Sequence, residues 1–349
     1  MHRISKLSAA AMVVAGALAA GMTPAQPAAA ATVTRSFCIY DPIGANGFIY
    51  QSYQPYIVQA LNWGVKLVPK PYTDEIVAMA DFSSGKCDMV EVPGINNIHL
   101  EKFAGSLDML GGLRSYKGLH TAIEVMSSPK AAKLMTQGDV ETVGVLPAGK
   151  VFLYARDRAN LLDFSHNTGK KVAILDGDQQ AITFANVFGV SAVPASLVTF
   201  GPMFNNGSVD FAYAPAFAYQ ALELYKGLGT KGGVATYVLG NLTTQTDIHK
   251  NRFPSNYGQA SRTWTVQHMW ADTMRRVRAE DASIPKKYWV HIDAAQTKKY
   301  NALTVATRQR LWQENWYSHT MQKLLKHIRC HNDPAMAECS MDTEGGPAT

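Results

Sequence analysis

The sequence predicts an α/β protein built from two similar lobes, with mainly parallel sheets and long helices near the C terminus. Three observations support this fold class. The 349 residues are 47% hydrophobic and 17% charged, which is enough apolar material for a large core and more chain than one ordinary domain needs. Short apolar runs alternate with helical patterns, as they do in β-α-β units. The same order of elements recurs in the second half of the chain.

Residues 1–31 have the features of a secretory signal. Arg3 and Lys6 precede an apolar stretch from Leu7 to about Ala20, and alanines up to Ala31 supply a small-residue cleavage site. The apolar stretch is short for a membrane span. We therefore expect cleavage after Ala31 and a soluble periplasmic product, and the alternative is a retained N-terminal anchor.

The main part of the first lobe is predicted over residues 32–150. Strands and helices alternate there, and Pro or Gly residues mark the turns between them. The predicted elements are a strand from Phe37 to Tyr40, a helical pattern over 47–62 interrupted by Pro55, a strand from Val65 to Val68, a helix that begins at Thr73 and ends before Gly85, and a strand from Met89 to Val92. This order predicts a mainly parallel sheet with helices on both faces.

The main part of the second lobe is predicted over residues 151–234, and it repeats that order. A strand at 171–175 precedes a helical segment near 179–188. Residues 204–215 then match residues 82–93 without a gap at a Phe, a Gly, an Asp and a Pro. Helix-to-strand turns often share such residues, but both copies also follow a strand that ends at an Asp. We infer two similar lobes whose strand ends face a shared cleft, where open α/β sheets bind ligands.

The C-terminal third differs from the lobes. Helical patterns span residues 266–280 and 294–329, and their apolar positions predict packing against the lobes. Residues 332–349 are polar, which predicts a loose tail that Cys339 pins to the rest of the chain.

Four cysteines, Cys38, Cys87, Cys330 and Cys339, fit an exported protein that forms disulfides. Three connectivities are open. We favour Cys38–Cys87 and Cys330–Cys339, because the second pair is close in sequence and the first closes a loop of about 50 residues that would contribute about 4 kcal/mol. Buried free thiols are the alternative, and the lack of a CxxC motif gives no support to a redox centre.

The net charge of +6 is unevenly distributed along the chain. Residues 32–248 carry 16 basic and 18 acidic side chains, residues 249–331 carry 15 basic and 5 acidic ones, and the tail carries 4 acidic ones. No nucleic-acid recognition motif accompanies the basic segment, so we expect no nucleic-acid partner. A helical face exposed to solvent explains the basic excess. The more specific alternative is a basic helical face that contacts acidic lipid headgroups or a permease.

The sequence lacks the motifs of serine hydrolases, zinc proteases, P-loop proteins and dinucleotide-binding proteins. Glu91 and Asp210 lie near strand ends and could form the acid–base pair of an exported hydrolase, or Asp210 could hold a helix-to-strand turn. His327 and His331 have metal-ligand spacing, but a solvated basic helix end explains them equally well. We therefore expect a binding protein with no catalytic residues, no metal and no cofactor.

Several segments of the chain together resemble one family. They span residues 37–42, 81–88, 103–108, 204–210, 214–216, 223–227, 252–254 and 261–262. Through them the sequence resembles the periplasmic solute-binding proteins of tripartite ATP-independent periplasmic (TRAP) transporters, within a divergent branch whose members are sometimes described as RND-type efflux pump components. The resemblance covers most of the chain after residue 31.

The resemblance implies a two-lobed, type II, TRAP-like periplasmic-binding-protein fold. Crossing strands and long helices within residues 235–331 would join the lobes, and the protein would close on a small polar or organic solute. The closed complex would then dock on the permease subunits of a TRAP-type transporter. The resemblance also supports the two cysteine pairs, and we expect the protein to be a monomer.

One position departs from the family pattern. TRAP binding proteins usually carry an arginine, in a Gly-x-Lys-apolar-Arg strand, that clasps the ligand carboxylate. In the matching stretch, which begins at Gly169, the arginine position is occupied by Ala173, so the usual organic-acid clasp is not expected. Arg156 and Arg252 are the candidates to replace it, and surface positions are the alternative for both.

Two arguments predict the ligand-binding residues: position at strand ends, and the resemblance, which implies a second-lobe ligand segment flanked by Asn205, Asn206 and Tyr213 and makes Arg252 a candidate for the missing arginine. Tyr and Asn side chains suit a partly polar pocket because they offer rings and neutral hydrogen bonds. The candidates are Tyr40, Asp41, Glu91, Tyr154, Arg156, Asn205, Asn206, Tyr213 and Arg252. Core packing is the alternative for Tyr40 and Tyr213, and helix C-capping beside Gly207 is the alternative for the two asparagines.

The predicted function is that of a periplasmic solute-binding protein that delivers its solute to a TRAP-type secondary transporter. An accessory component of an RND-type efflux system is the alternative. That role needs a partner surface, and the coiled-coil heptads typical of efflux adaptors are missing from the sequence. An exported hydrolase is the least favoured of the three.

Overall fold

The strands of the protein form one mixed sheet, as a computed structural model that describes residues 32–348 shows. The export signal predicted for residues 1–31 lies outside the described residues. The strands are β1 (Val33–Tyr40), β2 (Val65–Tyr72), β3 (Met89–Pro93), β4 (Thr136–Gln137), β5 (Val140–Ala155), β6 (Lys171–Leu175), β7 (Ser191–Ala195), β8 (Phe211–Pro215), β9 (Gly233–His249) and β10 (Trp289–Val290). Their order is β2-β1-β3-β9-β5-β8-β6-β7, with β10 beside β9 and β4 beside β5.

Two long strands in the middle of the sheet connect its two halves. Strands β1, β2 and β3 pair in parallel and define the first lobe, and strands β6, β7 and β8 pair in parallel and define the second lobe. Strands β5 and β9 pair with each other and with β8 and β3 in antiparallel fashion. The predicted α/β class with parallel lobe sheets is therefore confirmed, and the antiparallel pairs belong to the crossing strands.

Helices cover the sheet and fill the connections between its strands. They are α1 (Phe48–Ser52), α2 (Gln54–Ala60), α3 (Glu75–Ser83), α4 (Gly94–Asn97), α5 (Lys102–Gly105), α6 (Tyr116–Ser127), α7 (Ala159–Leu162), α8 (Gln179–Phe188), α9 (Leu197–Asn205), α10 (Ala218–Ala221), α11 (Leu224–Leu228), α12 (Tyr257–Trp264), α13 (Trp270–Asp281), α14 (Ala294–Gln313) and α15 (His319–Asn332). A π-helical turn, Thr265–Met269, joins α12 to α13. No helix within residues 32–348 is both long enough and apolar enough to cross a lipid bilayer.

Two predicted helix boundaries were wrong. Helix α3 is capped by Asp74, whose side chain accepts hydrogen bonds from the backbone of Ile76 and Val77, and not by Thr73. The pattern over 294–329 is divided into α14 and α15, because Asn315 adopts a left-handed conformation with φ of 51° and Ser318 caps a new helix. Both helices pack against the lobes as expected, and Leu311 and Leu325 are fully buried.

Two disulfides join the cysteines in the pairing that the sequence analysis favoured. Cys38 of β1 is bonded to Cys87, which precedes β3, with a Cα–Cα distance of 6.0 Å. Cys330 of α15 is bonded to Cys339 in the tail, with a Cα–Cα distance of 5.6 Å. The predicted connectivity is therefore confirmed.

The C-terminal tail is more firmly attached than its polar composition predicts. Glu338 and Glu344 are buried and form ion pairs with Arg308 of α14 and Arg329 of α15. The ammonium group of Lys326 donates hydrogen bonds to three tail carbonyl oxygens, each at 2.8 Å. The prediction of a loose tail was therefore wrong, and part of the basic excess of residues 249–331 is internal and not on a solvated face.

Candidate ligand cavity

A cavity of about 790 Å³ lies where strand ends of both lobes meet. Tyr40 and Asp41, at the end of β1, and Pro93, at the end of β3, contribute to its wall from the first lobe. Asp176 follows β6, and Pro215 ends β8, in the wall contributed by the second lobe. This is the shared cleft that the order of strands and helices predicted.

Most of the cavity wall is apolar and much of it is aromatic. The wall includes Tyr40, Phe48, Ile49, Leu110, Leu146, Val151, Leu153, Ile174, Phe184, Phe200, Tyr213, Phe217 and Leu239. Such a wall suits an organic ligand with a hydrophobic body, since apolar and aromatic side chains line most small-molecule sites and a few polar groups fix the orientation of the ligand.

The ionisable groups of the wall are predominantly acidic. Six carboxyl side chains line the cavity, those of Asp41, Glu75, Asp108, Asp176, Asp178 and Glu280. Arg276 of α13 is the single basic side chain among the described lining residues. Its guanidinium group lies over the ring of Phe48 and is 3.9 Å from a carboxylate oxygen of Glu280.

Asp108 lies beside the crossing strand β9, which forms part of the cavity wall. Its carboxyl group accepts hydrogen bonds from the backbone N–H of Thr243 at 2.8 Å and from the Thr243 hydroxyl at 2.7 Å. Burial raises the pKa of Asp108 to about 8, and the hydrogen bonds from Thr243 offset part of that rise. At pH 7 a pKa of about 8 leaves the Asp108 carboxyl group largely protonated.

Asp178 fixes the second-lobe side of the cavity. It caps α8 by accepting a hydrogen bond from the backbone N–H of Ala181 at 2.9 Å, and it accepts the hydroxyl of Tyr213 at 2.6 Å. The Tyr213 hydroxyl also accepts the backbone N–H of Leu175 at 3.2 Å. Burial raises the pKa of Asp178 to about 6, against the effect of these donors. Tyr213 therefore lines the cavity with its hydroxyl group held in place.

Asp41 and Glu75 provide the carboxyl groups of the first lobe. Asp41 accepts backbone N–H groups of Ile43 at 2.9 Å and of Tyr50 at 3.1 Å, so it shapes the loop after β1. Burial raises the pKa of Glu75 to about 7, and Asn96 acts in the opposite direction.

Three of the nine predicted ligand residues line the cavity. Tyr40, Asp41 and Tyr213 do so, and Tyr40 and Asp41 are almost fully buried. The other six side chains lie elsewhere in the protein, and a ligand-binding role for them stays a prediction that this geometry does not support.

The two predicted arginines hold equivalent turns in the two lobes. Arg252 donates hydrogen bonds to the backbone oxygen of Gly85 and to Asp88, each at 2.9 Å. Arg156 donates to the backbone oxygens of Phe204 at 2.7 Å and Asn205 at 3.3 Å, just before Gly207. Both glycines adopt left-handed conformations, with φ of 78° and 86°, after the end of a helix. These arginines therefore stabilise the repeated helix–glycine–strand turn.

The aspartates of that turn repeat the same arrangement. Asp88 accepts the backbone N–H of Ser36 at 2.8 Å, and Asp210 accepts the backbone N–H of Lys171 at 2.9 Å. Asp210 also lies 3.4 Å from the ammonium group of Lys170. The structural alternative for Asp210, a residue that holds the helix-to-strand turn, accounts for these contacts.

The two predicted asparagines stabilise the loops around α9. Asn205 donates a hydrogen bond to the backbone oxygen of Leu222 at 2.9 Å and accepts one from the backbone N–H of Gly227 at 3.2 Å. Asn206 accepts hydrogen bonds from the backbone and the hydroxyl of Ser208. Tyr154 is fully buried in the core of the second lobe.

Glu91 is fully buried in β3, and neither carboxylate oxygen makes a well-formed hydrogen bond within residues 32–348. Burial raises the pKa of Glu91 well above 4.5, nearby Asp41 and Glu75 add to the rise, and the Tyr40 backbone offsets part of it. An acid whose pKa is raised by folding stabilises the folded state at low pH. That contribution is lost as the pH rises from the usual pKa through the folded-state pKa.

Replacing Glu91 with glutamine should therefore stabilise the protein at high pH. We expect the free energy of unfolding of Glu91→Gln to exceed that of the wild type by about 1–3 kcal/mol at pH 8, and the gain to shrink toward pH 5. Urea unfolding at both pH values measures the difference, with the exposed Glu124→Gln as the control. A variant that is no more stable than the wild type at pH 8 would show that other groups in the folded protein offset the free-energy cost of burying the Glu91 charge.

A buried polar run of the crossing strand β9, from which Thr243 and Thr244 line the cavity, was missed at the level of the sequence. Thr243, Gln245, Thr246 and Asp247 of β9 are almost completely buried. The sequence signal was present, because the polar run Thr-Thr-Gln-Thr-Asp interrupts an otherwise buried strand. Buried polar side chains need partners, and here Gln245 accepts the Asn97 amide at 2.6 Å and donates to the backbone oxygen of Ala104 at 2.9 Å.

Among residues 32–348, no three His, Cys, Asp or Glu side chains converge in a way that could hold a metal ion. The features of the candidate site are therefore its cavity, the apolar wall and the carboxyl groups that line it.

Comparison with known proteins agrees with this architecture. Residues 64–344 match the family model described as solute-binding protein AdeT 1/2. The chain is 33% identical over 306 residues to the probable solute-binding protein AdeT1 of Acinetobacter baumannii, covering 88% of this chain and 100% of that protein. It is 22% identical over 237 residues to the probable solute-binding protein AdeT2 of the same organism, covering 68% of this chain and 99% of that protein.

Solved structures share the fold at low sequence identity. A TRAP periplasmic solute-binding protein from Desulfovibrio salexigens with bound orotic acid has a TM-score of 0.66 at 12% identity, covering 85% of this chain and 97% of that one. One from Haemophilus influenzae with bound L-gulonate has a TM-score of 0.66 at 9% identity, covering 85% and 98%. The ectoine-binding protein TeaA of the TeaABC TRAP transporter has a TM-score of 0.64 at 12% identity, covering 85% and 99%. The chain has the fold of TRAP solute receptors and belongs to the AdeT 1/2 family of solute-binding proteins.

Proposed function

We propose that this protein captures a small organic solute in the cavity and delivers it to the membrane subunits of a TRAP-type transporter. The observation that carries the proposal is the cavity of about 790 Å³ between the strand ends of two lobes. The crossing strands β5 and β9 join the lobes, so a hinge motion at these strands could close the lobes around a solute.

The proposed site of action is the periplasm. The charged start, apolar stretch and alanine-rich end of residues 1–31 support export, and the two disulfides suit an oxidising compartment. The chain would work there as a monomeric receptor. The solute-binding family and the cavity favour this role over an accessory role in an RND-type efflux system.

The test begins with protein released from cells by osmotic shock, whose first residue should be Thr32. Thermal melting with a panel that includes orotate, succinate, L-gulonate, ectoine and organic amines should reveal at least one stabilising compound. A compound at 100 times its dissociation constant should stabilise the protein by about 2.7 kcal/mol. The proposal is contradicted if no compound stabilises the protein and denaturation releases no small molecule.

Delivery is tested by reconstituting solute uptake with and without this protein in vesicles that contain TRAP membrane subunits.

A further inference from the structure

The acidic side chains of the cavity come from separate parts of the fold. Asp41 and Glu75 belong to the first lobe, and Asp176 and Asp178 belong to the second lobe. Asp108 lies beside β9, and Glu280 comes from α13. A solute held between the lobes would therefore meet carboxyl groups from several directions.

The cavity offers no arginine suited to clasping a carboxylate. Arg276 is already close to Glu280, and 47% of its side chain is exposed. Ala173 is fully buried in the core of the second lobe. Arg156 and Arg252 are engaged in the turns of the two lobes. An anionic solute would meet six carboxyl groups and gain no free cationic partner from the described lining, so its binding should be unfavourable.

We propose that the solute is an organic cation with an apolar body, such as a hydrophobic primary amine or a quaternary ammonium compound. This inference rests on the proposed solute-binding function and specifies the chemical class of the solute. The apolar wall would bury the hydrophobic body, and the carboxyl groups would face the cationic centre.

The carboxyl groups retain the capacity to accept further hydrogen bonds. Asp176 makes no side-chain hydrogen bond or ion pair in the part of the chain that the structure describes. Asp178 accepts two well-formed hydrogen bonds, and Asp108 also accepts two. Because an ionised carboxylate offers about four acceptor positions, each could still accept an ammonium donor.

Aromatic rings of the wall add a second way to recognise a cation. Tyr40, Phe48, Tyr213 and Phe217 all line the cavity. The face of an aromatic ring attracts ammonium groups, and this attraction serves quaternary ammonium compounds that have no N–H to donate. The guanidinium of Arg276 lies 3.6 Å from the ring centre of Phe48, so a cation–ring contact is already present at the edge of the cavity.

The acidity of the cavity predicts how binding changes with pH. The raised pKa values of Glu75, about 7, and Asp108, about 8, mean that these groups are partly protonated near neutral pH when the cavity is empty. A bound cation favours their ionised forms, so its affinity should rise between pH 6 and pH 8. The other titratable groups that line the cavity are Asp41, Asp176, Asp178, Glu280, Arg276, Tyr40 and Tyr213. Asp74 also acts on Glu75, and buried Glu91 interacts with Asp41 and Glu75.

The test uses three probes of nearly equal shape and different charge. They are 3-phenylpropylamine, 3-phenylpropan-1-ol and 3-phenylpropanoate, and benzyltrimethylammonium extends the set to a cation without an N–H donor. We expect calorimetric titration of the full protein at pH 7.5 to show about tenfold tighter binding of the amine than of the alcohol. A contact between the ammonium group and a carboxylate or an aromatic ring, shielded from water, contributes a free energy of this size. The acid should bind more weakly than the alcohol.

Variants separate the carboxyl groups of the wall from general effects of charge. Glu75→Gln and Asp176→Asn should each weaken the amine about threefold to tenfold and leave the alcohol unchanged, since each removes one charge at the cavity. Asp272→Asn is the matched control, because Asp272 is exposed, lies outside the cavity and pairs with Arg275. Its affinity for the amine should equal that of the wild type.

The outcomes distinguish the solute class from solute binding itself. Equal or tighter binding of 3-phenylpropanoate overturns the cation proposal and leaves the solute-binding function standing. Amine binding that is unaffected by both wall variants also overturns it. If no probe binds, the cation proposal fails, and the solute-binding function is then judged separately by the compound panel and by small molecules released on denaturation.

Discussion

Replacing Glu344 with alanine should lower the free energy of unfolding by about 3–5 kcal/mol, the cost of leaving a buried charge without its partner. Glu344 accepts hydrogen bonds from Arg308 at 2.7 Å and from Arg329 at 2.6 Å. Glu338 pairs with the same two guanidinium groups, so the four side chains form a closed ring of alternating charge. In Glu344→Ala two buried cations would share one carboxylate.

The pH dependence of this loss gives an internal check. Burial raises the pKa of Glu344, but the positive charges of Arg308 and Arg329 outweigh this effect and hold the pKa below its usual value. A depressed folded-state pKa stabilises the fold above the usual pKa of about 4.5, and the contribution is lost as the pH falls through the folded-state value. The penalty of Glu344→Ala should therefore be full at pH 7 and shrink in acid.

Urea unfolding of Glu344→Ala and of Asp342→Ala makes the measurement. Asp342 is an exposed acid in the same tail, and its removal should cost less than about 0.5 kcal/mol. If Glu344→Ala is as stable as Asp342→Ala at pH 7, the tail does not form the ion pairs described here.

Replacing Ala221 with tryptophan should abolish most solute binding without unfolding the protein. Ala221 is an exposed residue of α10 whose side chain lines the cavity, so a larger side chain there would occupy solute space. We expect the best solute of the melting panel to bind about 30-fold more weakly, which corresponds to the loss of about 2 kcal/mol of apolar burial.

The control places the same side chain outside the cavity. Val198, in α9 of the same lobe, is 83% exposed, so Val198→Trp adds an indole ring at the surface. Its affinity should match that of the wild type. Unchanged binding in Ala221→Trp, with both variants folded by circular dichroism, would place the solute site elsewhere.

The fold class could be predicted from the sequence because its signals are local. Strands β1, β3, β6 and β8 are short apolar runs that stop at Asp or Pro, and helical patterns lie between the lobe strands. The crossing strands were implied only by the family resemblance. Strand β9 carries the polar run Thr243 to Asp247, whose burial depends on partners such as Asn97 and Thr142 that lie far away in sequence.

The cavity could be predicted only in outline. Strand ends pointed to Tyr40, Asp41 and Tyr213, which line the cavity, but the end of a strand does not determine which face its side chains occupy. Glu91 and Tyr154 are accordingly buried in the cores. The acidic character of the wall could not be predicted, because Glu75, Asp108 and Asp178 converge from separate segments of the chain.

Arg156 and Arg252 were predicted to bind the ligand, but in the structure they stabilise turns. With Ala173 at the usual arginine position, Arg156 and Arg252 were the natural replacements. The structure instead gives each of them the same task in the two halves of an internal repeat. The tail shows a second effect of long-range pairing, since its acidic residues had no partner in the local sequence and neutralise basic side chains of α14 and α15.

Native mass spectrometry tests the central claim, solute binding in the cavity, most directly. The protein released by osmotic shock would be incubated with a low-molecular-weight extract of its own cells and weighed intact. We predict one added organic molecule per chain in the wild type and in Val198→Trp, and its loss in Ala221→Trp. A bare chain in all three proteins, or an equal added mass in Ala221→Trp, would contradict the assignment of this cavity as the solute site.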